Sequence, residues 1–71
     1  MKTIKSGEVA TELLREGRQL SVTAAGSAIV EVFYGTELVD SAAVNATSKT
    51  FGAYEFDVSF KVSSVVGVVK Y

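Results

Sequence analysis

Three carboxylates are the residues whose types and spacing could do chemistry in this sequence. Asp40 stands alone, whereas Glu55 and Asp57 are two residues apart. In an extended strand that spacing places both side chains on one face about 7 Å apart, a separation at which paired carboxylates can cleave glycosides. Such catalysis also needs a cleft and two unlike environments that split the pKa values. These two residues lie with Ser59 and Lys61 on the polar side of an alternating segment, so we expect a solvated face.

The composition leaves most other chemistries without support. The sequence has no Cys and no His, which removes disulfides, thiolate and imidazole metal sites, and a His-based catalytic triad. No loop holds two adjacent acids, as a calcium site usually requires. The glycines stand singly and form no phosphate-binding motif. We therefore expect no enzymatic activity, no cofactor and no metal.

The charge balance argues against a nucleic-acid partner, and the length of the most apolar segment argues against a membrane. The chain carries 7 Lys+Arg against 8 Asp+Glu, whereas nucleic-acid binding is typical of chains with a basic surplus. Five aromatic residues could stack bases, but without a basic cluster they fit a core or an interface better. They are Phe33, Tyr34, Phe51, Tyr54 and Tyr71. The most apolar segment, 62–69, is far shorter than the about 20 residues that span a bilayer.

The length of the chain indicates assembly. A chain of 71 residues forms at most one domain, and at this size the core rarely supplies more than about 3–5 kcal/mol. Natural proteins of this size add disulfides, a structural metal or oligomerisation. Because Cys and His are absent, oligomerisation is the remaining device. The alternative is a monomer of modest stability, since many small domains fold alone.

Residue alternation and turn signals predict an all-β fold. Val, Thr and Ile, which suit a pleated sheet, make up 20 of the 71 residues, and regularly spaced glycines are typical of a sandwich or barrel. We predict strands over 19–24, 28–34, 37–44, 54–62 and 65–71, short turns at 25–27 and 35–36, and a polar loop over 45–49. The strict alternation of 54–62 predicts the core strand. Tyr54, Phe56 and Phe60 would lie on its buried face.

The first sixteen residues allow two interpretations. Apolar residues recur with helical spacing at Val9, Ala10, Leu13 and Leu14. They fit an amphipathic helix ended by Gly17, or a strand followed by a turn at residues 16–17. We favour the strand because every later segment is β. We treat residues 1–71 as a single β domain in which residues 1–16 are a possible arm or short helix.

Several predicted strands are apolar on both faces, and such strands need cover on both faces. A chain this short has few elements with which to supply the second cover. We therefore predict burial against another subunit for Ile29, Phe33, Tyr34, Val65, Val69 and Tyr71. The Val-rich, almost uncharged segment 62–69 also resembles a strand edge that has to be paired. The alternative is a two-sheet sandwich that covers these residues internally.

Two stretches carry a resemblance to a class of proteins. One has the sequence LSVTAAGSA at residues 20–28 and continues into a Val-rich strand, and the other has KTFGAY at residues 49–54 and ends in VGVVKY at residues 66–71. Residues 17–71 thereby resemble small β-rich virion proteins of tailed phages, of the head-decoration or tail-associated type. The resemblance implies a structural subunit, commonly a homotrimer, that binds other virion proteins and catalyses nothing. It also implies assembly in the host cytoplasm and a final location in the virion.

The sequence thus predicts an all-β fold, a small sandwich or barrel-like unit of five to seven short strands, assembled as a homo-oligomer with a trimer favoured. The predicted function is that of a non-enzymatic virion structural protein, a capsid-decoration or tail-associated subunit. The alternative is a small monomeric β binding module that recognises a peptide or glycan on an exposed edge or aromatic patch. Oligomeric mass distinguishes the two functions.

Overall fold

The computed structural model describes Met1–Tyr71 and contains eight β-strands and no helix. The strands are β1 Thr3–Ile4, β2 Val9–Leu14, β3 Gln19–Ala24, β4 Ser27–Tyr34, β5 Glu37–Asn45, β6 Ser48–Gly52, β7 Val58–Val66 and β8 Val69–Lys70. They form two four-stranded antiparallel sheets, β1-β8-β3-β6 (the smaller sheet) and β2-β7-β4-β5 (the larger sheet). The predicted all-β sandwich is confirmed. The strand number exceeds the expected five to seven by one, and the strands that the sequence did not predict are β1 and β6.

The strand pairing follows one nested order. β4 pairs with β5, β3 with β6, β2 with β7 and β1 with β8, so the chain is one long hairpin whose halves run antiparallel. Two further pairings, β4 with β7 and β3 with β8, complete the sheets. A long hairpin rolled into two four-stranded sheets is a jelly roll. Only the β4–β5 hairpin stays within one sheet, and the other six connections cross from sheet to sheet.

The core lies between the sheets. It consists mainly of Val side chains packed around a cluster of aromatic rings. Its thirteen buried apolar residues are Ile4, Leu14, Val22, Ala24, Ala28, Val30, Val32, Val44, Phe51, Val58, Phe60, Val62 and Val69. The Phe60 ring lies 5.4 Å from the ring of Phe51 and 6.2 Å from that of Tyr54, both in edge-on geometry. Such pairs add about 0.5–1.5 kcal/mol to the effect of burial. Ser64, the buried polar residue, donates its hydroxyl hydrogen bond to the Gly67 carbonyl at 2.6 Å.

Several local predictions are confirmed. Residues 9–14 form a strand, so the helical interpretation of this segment was wrong. Strands β3, β4 and β5 lie within one residue of the predicted bounds. The turn at residues 35–36 has a positive φ at Gly35 (64°) and none at Thr36, as a type II′ turn requires. The polar loop predicted over 45–49 is shorter, because β5 ends at Asn45 and β6 begins at Ser48.

The predicted core strand at 54–62 is displaced in the structure. β7 begins at Val58 and extends to Val66, while residues 53–57 connect the two sheets. Tyr54 packs half-buried against the core, but Phe56 is 36% exposed and is not a core residue. The physical reason is the crossing itself: β6 belongs to the smaller sheet and β7 to the larger one. Alternation indicates that a segment can be extended and half-buried, but it does not show where the chain changes sheets.

Gly26 and Gly67 bring two crossing connections into direct backbone contact. A Cβ atom placed on Gly26 would lie 2.2 Å from the carbonyl oxygen of Val66, so a side chain does not fit there. Gly67 has a φ of 84° and lies against the backbone of Gly26. The β3–β4 connection is therefore packed tightly onto the β7–β8 connection.

Candidate interaction surfaces

The outer face of the smaller sheet is polar and rich in hydroxyl groups. Its side chains are those of Thr3, Gln19, Ser21, Thr23, Ser48, Thr50 and Lys70. The hydroxyls of Ser21 and Thr50 are 3.0 Å apart, and those of Thr23 and Ser48 are 2.5 Å apart. Neighbouring strands thus satisfy one another's hydrogen-bonding groups on this face.

The outer face of the larger sheet is apolar in two rows that flank a polar row. Each of these rows has three apolar residues and one serine: the first is Val9, Ser63, Ile29 and Ala43, and the second is Leu13, Ser59, Phe33 and Leu38. The row between them is Thr11, Lys61, Glu31 and Ser41. Exposure is 46% for Ile29 and 58% for Leu13. The two outer faces of one sandwich therefore differ sharply in chemistry.

The structure separates the six residues that the sequence placed at an interface. Ile29 and Phe33 share the outer face of the larger sheet, where Ile29 is exposed and Phe33 is half-buried. Tyr34 and Val65 are both exposed but lie at opposite ends of the sandwich, Tyr34 beside the β4–β5 turn and Val65 at a bulge near the end of β7. Tyr71 is half-buried against the core and exchanges backbone hydrogen bonds with Lys2.

Val69 belongs to the core, which corrects its placement at an interface. The side chain is fully buried within the sandwich, and its cross-strand neighbours are Ile4 and Ala24. The sequence suggested one closing strand over 65–71. Instead the chain turns at Gly67, and residue 69 returns on the inner side of the smaller sheet.

One end of the sandwich, which we call the hairpin end, carries an exposed aromatic pair among acidic residues. It comprises the β4–β5 turn, residues 15–18, residues 53–57 and the adjoining strand ends. The rings of Tyr34 and Phe56 are 4.2 Å apart with a tilt of 37°. The charged residues of this end are Glu16, Glu37, Asp40, Glu55 and Asp57 against Arg15 and Arg18. Sequence reasoning missed this pair because Phe56 was assigned to the core.

The other end, which we call the valine end, is basic and has a shallow pocket. It comprises residues 1–8, 25–26, 46–47 and 65–71. Val65, Val66 and Val68 are exposed there, and the charged side chains are those of Lys2, Lys5 and Lys70 against Glu8. The pocket has a volume of about 380 Å³ and is lined by Thr23, Ala25, Val68 and Lys70.

Two polar contacts close the open sides of the sandwich. Glu12 on β2 and Asp40 on β5 occupy the two ends of the cross-strand row that runs through Phe60 and Val32. Lys2 binds Glu12 in an ion pair. The hydrogen bond that the Lys2 amine donates to Glu12 within this ion pair, together with the charge of Glu12, raises the pKa of Lys2.

On the opposite side, the Tyr54 hydroxyl donates to Oδ2 of Asp40 at 3.1 Å. Burial of the phenol raises the pKa of Tyr54 to about 12, with further contributions from the hydrogen bond to Asp40 and the charge of that carboxylate. Tyr54 thus keeps its proton and donates a hydrogen bond to a carboxylate at the edge of the core.

Of the three carboxylates singled out in the sequence, Asp40 and Asp57 have structural contacts. Asp57 accepts a hydrogen bond from the Glu16 N–H at 2.8 Å and lies 3.5 Å from the Arg15 guanidinium. Glu55 is exposed in the connection between β6 and β7. No group of three or more His, Cys, Asp or Glu residues is arranged to hold a metal ion. The chain also contains no helix of the length and apolarity needed to cross a membrane.

Comparison with known proteins identifies no relative of this chain, so a function has to be inferred from the strand order and the surfaces. No protein-family model matches the chain, and no curated protein or solved structure is significantly similar to it. Jelly rolls occur in viral capsid proteins, lectins and cupins. A fold hosts many functions, so the function has to follow from the surfaces that this chain presents.

Proposed function

We propose that this chain is a non-enzymatic structural subunit of a virion, a capsid-decoration or tail-associated protein that acts by assembling with copies of itself, with a homotrimer favoured. The observation that carries the proposal is the contrast between the two outer faces. One is covered by mutually bonded hydroxyls, and the other exposes rows of apolar side chains. Exposed apolar patches of this kind mark interaction surfaces.

The apolar face has the composition of a contact surface. It presents Val9, Leu13, Ile29, Phe33 and Leu38 in two rows, and burial of apolar area contributes about 25 cal/mol per Å². That contribution would stabilise a chain whose own core is small. Glu31 and Lys61, which are cross-strand neighbours between the rows, would select the orientation of a partner more than add affinity.

Two further points support a virion protein. The jelly-roll order is an architecture of viral capsid proteins, and residues 17–71 resemble phage virion proteins in sequence. Both are arguments by analogy. The carboxylates spaced for catalysis support a non-enzymatic role, because Asp57 binds the Glu16 backbone and Arg15 while Glu55 is exposed outside any strand.

The experiment is the native mass by light scattering over a hundredfold dilution, for the wild type and two matched variants. Ile29→Lys places a charge on the apolar face of central strand β4, and Ser21→Lys places the same charge on the hydroxyl face of central strand β3. We expect a closed oligomer for the wild type and for Ser21→Lys, and a lower mass for Ile29→Lys. A folded monomer at every wild-type concentration would refute self-assembly.

A peptide-binding module is the second candidate, and the β5 edge favours it. β5 is a nine-residue strand at the edge of the larger sheet, and residues 37–41 are exposed. An extended peptide could add to such an edge through backbone hydrogen bonds. This function predicts a monomer whose amide NMR shifts, on addition of an extended peptide, change along residues 37–45. The amide shifts of Val9, Leu13 and Ile29, which lie on the apolar face outside β5, should then stay unperturbed.

A further inference from the structure

We propose that the hairpin end and the valine end are complementary, and that copies of this chain associate head to tail with the Tyr34–Phe56 pair of one copy on the valine-end pocket of the next. This inference deepens the self-assembly proposed above. It assigns a second contact, separate from the outer face of the larger sheet.

The hairpin end supplies a preorganised apolar projection. Tyr34 is 51% exposed and Phe56 is 36% exposed, yet their rings contact each other at a centroid distance of 4.2 Å. Each ring therefore restricts the other, so less side-chain entropy is lost when a partner covers them. Aromatic residues with one polar tip are enriched in such contacts.

The valine end supplies a matching depression. Its pocket of about 380 Å³ is open to solvent and lined by four residues, so it is a surface depression that side chains of a partner can cover. Ala25 and Val68 give the pocket an apolar lining, and Lys70 supplies a cation.

The charges around the two ends are opposite. Glu37 is the cross-strand neighbour of Tyr34, and Glu55 precedes Phe56. Neither carboxylate forms an ion pair within the chain, and neither does Lys70, since the two ion pairs are Lys2–Glu12 and Arg15–Asp57. Facing the hairpin end towards a valine end brings opposite charges together, whereas two identical ends repel each other.

A contact between unlike ends is heterologous, so it produces closed rings or open filaments according to the rotation between copies. An isologous contact would instead join identical surfaces and stop at two copies. This difference gives the proposal a test that does not depend on the final oligomer.

The test uses one defective variant for each end, in an Ile29→Lys background that removes the outer-face contact. Phe56→Lys would remove the ring and place a cation against Lys70 of the pocket, and Val68→Asp would oppose the acidic hairpin end. Thr47→Asp, an exposed valine-end position outside the pocket, is the matched control. Sedimentation velocity gives the masses, and circular dichroism establishes that each variant is folded.

We expect association of the background chain and of the Thr47→Asp control, and monomers for Phe56→Lys and for Val68→Asp alone. An equimolar mixture of the two defective variants should form a one-to-one pair, because it contains one intact end of each kind. A mixture that stays monomeric while the background chain associates would overturn the proposal. A background chain that is monomeric at all concentrations would overturn it too, while leaving the outer-face assembly intact.

A second measurement needs no variant at either end. Raising the NaCl concentration from about 50 mM to about 500 mM shortens the screening length severalfold. The mass of the Ile29→Lys chain should therefore fall towards that of the monomer. A mass that is unchanged or increased by salt would contradict a contact guided by opposite charges.

Discussion

The Tyr54 hydroxyl donates a hydrogen bond to Oδ2 of Asp40 at 3.1 Å, which ties the connection after β6 to edge strand β5. On the other open side of the sandwich, Lys2 contacts Glu12 of edge strand β2. Both carboxylates belong to the same cross-strand row through the core. The two polar contacts therefore lie at the two ends of one cross-strand row and cover the core from opposite open sides of the sandwich.

The first prediction concerns the pH dependence of folding. The pKa of Tyr54 is raised from 10.0 to about 12, chiefly by burial and further by Asp40. Because the folded state favours the neutral phenol, this contribution to stability is complete below pH 10 and is lost as the pH rises towards 12. Between pH 10 and 12, we therefore expect the free energy of unfolding to fall less steeply with pH in Tyr54→Phe than in the wild type.

Urea unfolding at fixed protein concentration measures this effect. Near neutral pH, Tyr54→Phe should lose about 1 kcal/mol, the net value of one hydrogen bond. Tyr34→Phe removes a hydroxyl that has no hydrogen-bond partner in the protein and is the control. The prediction is wrong if the wild type and Tyr54→Phe show the same slope above pH 10.

The second prediction separates the two phenylalanines that the sequence placed on one buried face. Phe60 is fully buried between Phe51 and Tyr54, so Phe60→Ala should lower the free energy of unfolding by about 3–5 kcal/mol. Phe56 is exposed outside β7, and Phe56→Ala should cost about 1 kcal/mol or less. Urea midpoints compare them, with Phe60→Leu as a milder substitution. Equal losses at the two positions would contradict the observed start of β7.

These two residues also show what residue alternation can predict. The pattern over 54–62 identified Val58, Phe60 and Val62 as buried, which the structure confirms. It failed at Phe56 because alternation continues through a connection that leaves the sheet. The same limitation placed residues 65–71 in one strand, although the chain crosses between sheets at Gly67.

The third prediction concerns the contact of Gly26 with the β7–β8 connection. A Cβ on Gly26 would lie 2.2 Å from the Val66 oxygen, so the backbone has to move. We expect Gly26→Ala to lower the free energy of unfolding by about 3 kcal/mol, the upper end of the range for overpacking.

Gly7→Ala is the matched control for this substitution. Gly7 has a φ of 84° and no atom within 4 Å of an added Cβ, so only the backbone cost of about 1–2 kcal/mol applies. Thermal and urea unfolding measure both variants. A loss for Gly26→Ala no larger than that for Gly7→Ala would show that the two connections are not packed so closely.

The fourth prediction tests the contact on the Lys2 side. The hydrogen bond and charge of Glu12 raise the pKa of Lys2 above 10.5, so Glu12→Gln should lower it towards that value. An NMR titration of the Lys2 side chain measures the change. Glu8→Gln is the control, since Glu8 accepts the Lys5 N–H instead. An unchanged Lys2 titration in Glu12→Gln would refute this contact.

The candidate surfaces were less predictable than the strands. The exposure of Ile29 follows from a strand that is apolar on both faces, and its burial against a second subunit stays a prediction. The opposite charges of the two ends depend on which loops lie at the same end. Glu37 and Glu55 are eighteen positions apart in sequence and become neighbours of one aromatic pair only through the rolled hairpin. No local pattern contains that information.

The nested strand order has a consequence for how assembly is timed. β4 and β5 are joined by two residues, whereas β1 and β8 come from opposite ends of the sequence. Because loop closure is cheapest for the shortest loop and each pairing shortens the next closure, we expect the chain to fold outward from Gly35 and to dock β8 last. Val68 and Lys70 complete the valine-end pocket only at that step. In the proposed head-to-tail contact, an unfinished chain would therefore lack the surface for the next copy, and only subunits that have finished folding would be incorporated.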